Sequence, residues 1–173
     1  IQDALERAGQ NRAEIEQALD QVPARQRKGM YFLVEHMPTQ DLASLKAEYL
    51  LTNVRFAYQA WQSSAWKADV PEEIFLNNVL PYSVINERRD DWRKDFYQRF
   101  APLVKDAKSP AEAAVILNQN VFKIVNVKYS TKRKKPDQSP YESMETGLAS
   151  CSGLTVLLVD ACRSVGVPAR FVG

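Results

Sequence analysis

The sequence predicts a mainly helical fold. Apolar residues recur at steps of three and four along most of the first hundred residues, which is the spacing of one face of an α-helix. Prolines stand between these segments, where a proline opens a helix or prevents the residue before it from continuing one. The 173-residue chain is 45% hydrophobic and 25% charged, a composition typical of folded proteins that bury a core.

Periodicity and capping signals define a series of helical segments. They extend over residues 5–22, 24–37, 40–62, 69–80, 88–104 and 109–126. Thr39 is predicted to cap the third segment. The last has the clearest start, because Ser109 precedes Pro110 and Glu112 stands three residues after the serine, as in a capping box. Residues 127–149 break the pattern with prolines and a basic cluster, and we predict a long loop there.

The segment at 88–104 carries aromatic side chains at helical spacing, which are predicted to form core rather than a ligand site. They are Trp92, Phe96, Tyr97 and Phe100. A boundary is placed after residue 108, which divides the chain into a helical N-terminal region, residues 1–108, and a second part, residues 109–173. Helices on both sides of this boundary could also share one core.

Composition and charge argue against several classes of function. A net charge of +2 gives no reason to expect a nucleic-acid partner. The longest apolar run near the C-terminus is far shorter than the ~20 residues of a membrane span, so we expect a soluble protein. One histidine and two separated cysteines do not make a metal site, and no glycine-rich phosphate loop is present, so no metal or cofactor is predicted. The chain starts at Ile1 without an apolar signal core, and we expect a processed or trimmed form.

The two cysteines differ in their predicted places on the last helix. Apolar residues repeat at steps of three and four over 154–165, and Gly166 is predicted to cap the C-terminus. Cys151 would open this helix among small residues, where free N–H groups and the helix dipole favour a thiolate and a developing oxyanion. Cys162 lies mid-helix and is predicted to be packed. On one helix the two would be about 16 Å apart, beyond the ~7 Å limit for a disulfide.

The stretch "CSGLTVLLVDACRSVGVPARFVG" resembles the nucleophile helix of the transglutaminase-like superfamily. The family pattern is a cysteine that opens a helix, an aliphatic run, an arginine, a Gly-[IV]-Pro-Ala-Arg turn and an aliphatic strand. The matching positions are Cys151, residues 154–159, Arg163, residues 166–170 and residues 171–172. Tyr129 takes the aromatic position ahead of the loop, and the resemblance covers residues 109–173.

The resemblance implies that this chain contains the helical half of an α+β, papain-type core, with at most an edge strand near residues 168–173. In the family, the cysteine works with a histidine and an acid on later strands. The single histidine, His36, precedes the cysteine and is interpreted as an ordinary, partly exposed residue. Without an imidazole partner the chain alone is expected to be inactive. We interpret it as a fragment of a longer protein, and a natural remnant that only binds is the alternative.

By the resemblance, Cys151 would attack an amide, form a thioester and pass the acyl group to water or to an amine. Peptide or cell-wall amides are the implied substrates, with hydrolysis preferred to crosslinking. Besides the Cys151 N–H, the side chains of Gln119 or Asn120 are candidate oxyanion donors. The basic run at 132–135 could attract an anionic substrate or be an ordinary solvated loop. The alternative function is a non-catalytic helical binding or scaffold module.

Overall fold

The computed structural model of the chain describes residues 1–172, and these residues form a mainly helical fold, as predicted. The α-helices, numbered α1 to α10 in order, are Gln2–Arg7, Arg12–Gln21, Arg27–His36, Thr39–Leu42, Ala47–Ser63, Glu72–Asn78, Arg93–Val104, Pro110–Ile124, Pro140–Thr146 and Cys151–Ser164. The strands are β1, Lys128–Tyr129, and β2, Leu148–Ala149. None of the helices in this part of the chain is long and apolar enough to span a membrane.

Helix α10 lies at the centre of the packing. Helices α7 and α8 pack against it, and α5 packs against both α7 and α10. The aromatic side chains in and just before α7 belong to the core, as predicted. Trp92, Phe96 and Phe100 are buried, and Tyr97 is half-buried. Burial of such large apolar side chains is the main favourable contribution to a fold of this kind.

The first predicted helix, over residues 5–22, is wrong as one continuous element. Helix α1 ends at Arg7, and a 3₁₀ turn, Gly9–Asn11, separates it from α2. Gly9 has a φ of +55° there, which a residue with a side chain rarely adopts. The periodicity continues across the turn because both helices bury apolar residues in the same core, including Leu5, Ile15 and Leu19.

The third predicted helix, over residues 40–62, is also wrong as one element, because residues 43–46 separate α4 from α5. The Asn11 side chain donates to the carbonyls of Leu42 and Leu45, both at 2.8 Å. The Glu14 carboxylate accepts from the backbone N–H of Ala47 at 2.8 Å. These long-range bonds satisfy the backbone at the break. Thr39 is the first residue of α4 rather than its cap.

The predicted loop at 127–149 contains regular structure, so that prediction is wrong in part. Helix α9 lies inside it and begins with a complete capping box, in which Ser139 and Glu142 each accept a hydrogen bond from the other's backbone N–H. Strands β1 and β2 pair in parallel, with Lys128 opposite Leu148 and Tyr129 opposite Ala149. In α8, Ser109 accepts from the N–H of Glu112 at 3.1 Å, which confirms the predicted cap. The Glu112 carboxylate accepts from the Lys108 N–H at 2.8 Å instead of from that of Ser109, so the second half of the predicted capping box does not form.

The predicted edge strand near residues 168–173 is not found over the described residues, 168–172, and Gly173 lies outside them. The segment after α10 instead runs beside α6, where the Ala169 N–H donates to the Asn78 carbonyl at 2.9 Å. Gly166 has a φ of +82° just after the helix, and its carbonyl accepts from the Trp66 indole at 3.0 Å. A glycine with positive φ is the expected C-terminal cap.

Candidate active site at the start of helix α10

Cys151 is the first residue of α10, and its side chain is exposed. The preceding residue, Ser150, is the N-cap, and its hydroxyl accepts from the N–H of Gly153 at 3.0 Å. Cys151 is exposed although the two small residues before it, Ala149 and Ser150, are buried. The sequence therefore predicted correctly both the start of this helix and the position of the cysteine on it.

Two backbone donors lie free beside the sulfur. Within residues 1–172, the N–H groups of Cys151 and Ser152 donate to no acceptor, whereas the N–H of Leu154 donates to the Ser150 carbonyl at 2.9 Å. Free N–H groups in the first turn of a helix carry the positive end of its dipole. They can stabilise a thiolate or the oxyanion of a tetrahedral intermediate.

The segment from Ser130 to Pro136 contains the basic run, and we call it the basic loop. Both ends of this loop are held next to the start of α10. On one side, the Ser130 N–H continues the β1–β2 pairing by donating to the Ala149 carbonyl at 2.9 Å. On the other, the Ser150 hydroxyl donates to the Pro136 carbonyl. Lys135 pairs with Glu142 at 2.9 Å. These contacts hold the segment that carries the basic run beside the start of α10, and Glu142 offsets the charge of Lys135.

Gln138 is fully buried between the loop and α10, and sequence reasoning did not find it. Its amide nitrogen donates to the carbonyls of Leu148 and Glu142 at 3.0 and 3.3 Å. Gly153 allows this close packing, because a Cβ there would lie 3.1 Å from the Ala149 Cβ. The sequence does contain a signal for the helix that follows Gln138. This signal is the S-P-x-E pattern of residues 139–142, and the same pattern stands at the start of α8.

The structure does not join Gln119 or Asn120 to the start of α10 by a hydrogen bond within the described residues. Gln119 is exposed on α8. The Asn120 amide donates to the Ile116 carbonyl at 2.8 Å, within its own helix. Their predicted role as oxyanion donors stays a prediction.

His36 lies near the other end of α10. Its Nδ1 is 2.8 Å from the Phe32 carbonyl, and its ring is 4.4 Å from the Phe32 ring. It lines a cavity with Pro81 and Ser83, whose carbonyls accept from Arg163 at 3.3 and 2.6 Å. Arg163 follows Cys151 by twelve residues, which is about 18 Å along a helix.

The last turns of α10 contain a buried charged cluster, which we define as Asp160, Arg163 and Arg93 of α7. Arg93 is 1% exposed and donates to the Arg163 carbonyl at 3.2 Å and to the Pro81 carbonyl at 2.9 Å. Burial and the neighbouring Arg163 lower the pKa of Arg93. A buried cation needs such hydrogen bonds to offset the loss of its hydration.

Asp160 is fully buried, and neither carboxylate oxygen has a hydrogen-bond partner within the described residues. Burial raises the pKa of Asp160 well above its usual value, against the opposing effect of Arg163 and Arg93. Cys162 is buried in the same helix, and burial raises the pKa of its thiol to about 12. Both cysteines are free, which confirms that they do not form a disulfide.

Within residues 1–172, no three His, Cys, Asp or Glu side chains are grouped so that they could hold a metal ion.

The C-terminal part of the chain, residues 98–173, matches the family model of the transglutaminase-like superfamily. The matched range contains the candidate active site and most of α7, and it confirms the resemblance predicted from the residues around Cys151. No curated protein and no solved structure matches the chain. The match begins inside α7, and the division of the chain at residue 108 stays a prediction.

Proposed function

We propose that Cys151 is the nucleophile of a transglutaminase-like cysteine enzyme that acts on amide bonds. The observation that carries the proposal is the exposed thiol on the first residue of α10, beside two N–H groups without acceptors. Its position within the part of the chain that matches the superfamily supports the same assignment.

In the proposed reaction, the Cys151 sulfur attacks the carbonyl carbon of an amide and a C–S bond forms. The C–N bond then breaks, and the leaving amine takes up a proton. Water or a second amine attacks the thioester and releases the thiol, which completes hydrolysis or acyl transfer. In this proposal the N–H groups of Cys151 and Ser152 bind the oxyanion. Peptide or cell-wall amides are the proposed substrates, with hydrolysis preferred to crosslinking.

The reaction also needs a group that removes the thiol proton and later protonates the leaving amine. His36 does not lie at the start of α10, as described above. The family resemblance assigns this task to a histidine that follows the nucleophile helix, oriented by an acid. We therefore propose that the chain as given shows thiol reactivity at Cys151 but does not turn over amides.

Labelling with iodoacetamide from pH 5 to pH 9 tests the nucleophile, with the two cysteines separated by peptide mass spectrometry. The reference is the same chain unfolded in urea, in which both thiols react as ordinary cysteines with a pKa near ~8.5. At pH 6 we expect folded Cys151 to react about tenfold faster than unfolded Cys151, because unpaired N–H groups at a helix start favour negative charge on a nearby sulfur. Buried Cys162 should react far more slowly in the folded chain than in the unfolded one.

A folded Cys151 that reacts at pH 6 no faster than in urea would contradict an activated nucleophile. That outcome would favour the non-catalytic binding module instead. Because Cys162 is read in the same sample, it also reports whether the chain stayed folded during labelling.

A further inference from the structure

The N-terminal helices carry a polar groove that the proposed chemistry at Cys151 does not use. Two adjoining cavities, each of about 470 Å³, lie along α5 and share Arg25, Gln26 and Arg55 in their lining. Gln17 and Gln21 line one of them, and Gln59 and Gln62 line the other. We call these two cavities together the glutamine groove.

The groove is long because one face of α5 forms its floor. The lining residues of this helix are Glu48, Leu51, Thr52, Arg55, Gln59 and Gln62. Together with Ser63 they form one face of the helix, because Glu48, Leu51 or Thr52, Arg55, Gln59 and Gln62 or Ser63 follow one another at steps of three and four. The distance from Glu48 to Gln62 is about 21 Å at the rise of an α-helix. An extended peptide of about six residues has this length.

Gln26 lies on the lining of both cavities and is 6% exposed. Its side-chain amide makes no hydrogen bond to a described residue and remains accessible from the groove. An accessible amide of this kind can both donate to and accept from a bound main chain.

Neither of the two shared arginines, Arg25 and Arg55, forms a salt bridge within the described residues. Glu48 lines one of the cavities, and Asp91 lies near enough to Arg55 for an electrostatic effect, but neither carboxylate pairs with these guanidinium groups. On other surface helices of this chain, Arg12 and Arg99 pair with carboxylates four residues away, at 2.7 and 2.8 Å. Arg55 has Leu51 and Gln59 at those positions instead. Two unpaired guanidinium groups in the middle of the groove can each bind a carboxylate through two hydrogen bonds.

From these features we propose that the glutamine groove binds an extended acidic peptide segment. Glutamine amides supply both donors and acceptors, which matches the N–H and C=O groups of an extended main chain. Arg25 and Arg55 would bind acidic side chains near the middle of that segment. No aromatic ring lines either cavity, which disfavours single-stranded nucleic acid as the anionic partner, since its bases bind by stacking on aromatic rings. The inference does not depend on the reaction proposed for Cys151.

Fluorescence anisotropy with labelled six-residue peptides tests the proposal. The probe alternates Ala and Glu, and the two comparison peptides carry Gln or Lys in place of each Glu. We expect the Glu peptide to bind about tenfold more tightly than the Gln peptide, and the Lys peptide not to bind. Binding should weaken as salt is raised, because the arginines are exposed.

Groove variants show whether binding occurs at this site. The double variant Arg25→Gln/Arg55→Gln should lose about tenfold in affinity for the Glu peptide. A control with the same change in net charge is Lys123→Gln/Arg170→Gln, at exposed positions that line neither cavity; it should bind like the parent chain. Gln26→Met keeps a similar side-chain volume but removes the amide, and it should weaken both the Glu and the Gln peptides by the same factor.

Three results would overturn the proposal. One is the absence of binding of the Glu peptide at millimolar concentration by a chain with an unchanged melting curve. Another is an equal loss of affinity in the groove double variant and its control, which would indicate attraction by net charge alone. The third is binding of a sulfated oligosaccharide that the groove variants abolish while no peptide binds, since the occupant would then be a glycan.

Discussion

The two ends of helix α10 differ in how they are held. At its start, Cys151 is exposed, and the neighbouring structure is a loop and a two-residue strand pair. At its end, Arg163 is buried and donates to the carbonyls of Pro81, Ser83 and Ala169. The first end presents an exposed thiol beside the loop and α9, whereas the second is enclosed by the N-terminal helices.

This difference assigns separate tasks to the two ends. Hydrogen bonds and packing at the buried end fix the position of the whole helix, because an α-helix transmits its position along its length as a rigid element. The exposed end can then keep its first N–H groups unpaired without losing the fold. A reactive cysteine needs such support from residues that do not touch the substrate. The N-terminal region therefore acts as the support for the helix that carries Cys151.

Removing Arg93 should have the largest effect on stability, because it is the central donor at the buried end. It donates to the Asn53 side chain and to the carbonyls of Val79, Leu80, Pro81 and Arg163. Arg93→Met fills similar space but leaves these acceptors unpaired, and we expect a loss of about 4 kcal/mol in the free energy of unfolding.

Urea unfolding followed by circular dichroism measures this loss. Arg99→Met is the matched control, since Arg99 is exposed and pairs only with Asp95 on the same helix; it should cost less than about 0.5 kcal/mol. If the two variants were equally stable, the buried end would not be the anchor of α10.

Gly166→Ala should have the next largest effect. Gly166 has a φ of +82°, and an added Cβ would lie 2.8 Å from the Ala60 carbonyl oxygen of α5. Gly9→Ala is its control, because Gly9 has a φ of +55° but open space around the added Cβ. We expect a loss of about 1 kcal/mol at Gly9 from the backbone alone and about 3 kcal/mol at Gly166.

The difference between the two glycine variants isolates the close contact between α5 and the end of α10. Thermal and urea unfolding of both variants measure it. Equal losses in the two variants would mean that the end of α10 can move away from Ala60 at no cost, which contradicts a fixed buried end.

The pH dependence of stability tests Asp160. Its pKa in the folded chain is raised by burial, so the folded state keeps a proton that the unfolded state loses above pH ~4. The contribution of Asp160 to the free energy of unfolding is therefore largest below the pKa that it has in the unfolded chain. This contribution is lost as the pH rises towards the pKa that it has in the folded chain. For one titrating group, the free energy of unfolding changes by at most about 1.4 kcal/mol per pH unit. Asp160→Asn removes the titrating group, and its stability relative to the parent chain should rise between pH 4 and pH 8.

Unfolding in urea at each pH gives this difference, and Asp106→Asn, at an exposed position, should show no trend. The charged residues that act on Asp160 are Arg163, Arg93, Glu87 and Asp90, and they are present in both chains. If the stability of Asp160→Asn relative to the parent chain stayed constant or fell as the pH rises, Asp160 would be ionised in the folded chain. Measurements stay below pH 8 because Cys162 also has a raised pKa.

Most of the local features of the site could be predicted from the sequence. The start of α10 follows from small residues before an apolar repeat, and its end follows from Gly166. The buried cluster was not predicted, although Asp160 interrupts the apolar face next to Leu157 and Ala161. A carboxyl group at such a position requires a buried polar environment of its own, but the nearby Arg93 lies on another helix. Periodicity along one helix contains no information about that partner.

The error in the third predicted helix has the same origin. Residues 43–46 could continue a helix by propensity, and the break depends on Asn11 and Glu14, more than thirty residues earlier. Helix α9 differs, because its capping box was present in the sequence and was passed over in favour of the prolines and charges around it. Avoiding the first kind of error requires knowledge of tertiary contacts, whereas the second kind could have been avoided from the sequence alone.

The smallest expected effect is at the exposed end, with Ser150→Ala. The Ser150 hydroxyl caps α10 and also donates to the Pro136 carbonyl of the basic loop. Ser109→Ala is its control, since Ser109 caps α8 in the same way. Each substitution should cost about 1 kcal/mol through the lost cap.

Ser150→Ala should also change the rate at which Cys151 reacts with iodoacetamide, because it frees the loop beside the sulfur, and Ser109→Ala should leave that rate unchanged. Equal labelling rates in both variants would show that the loop does not influence the thiol.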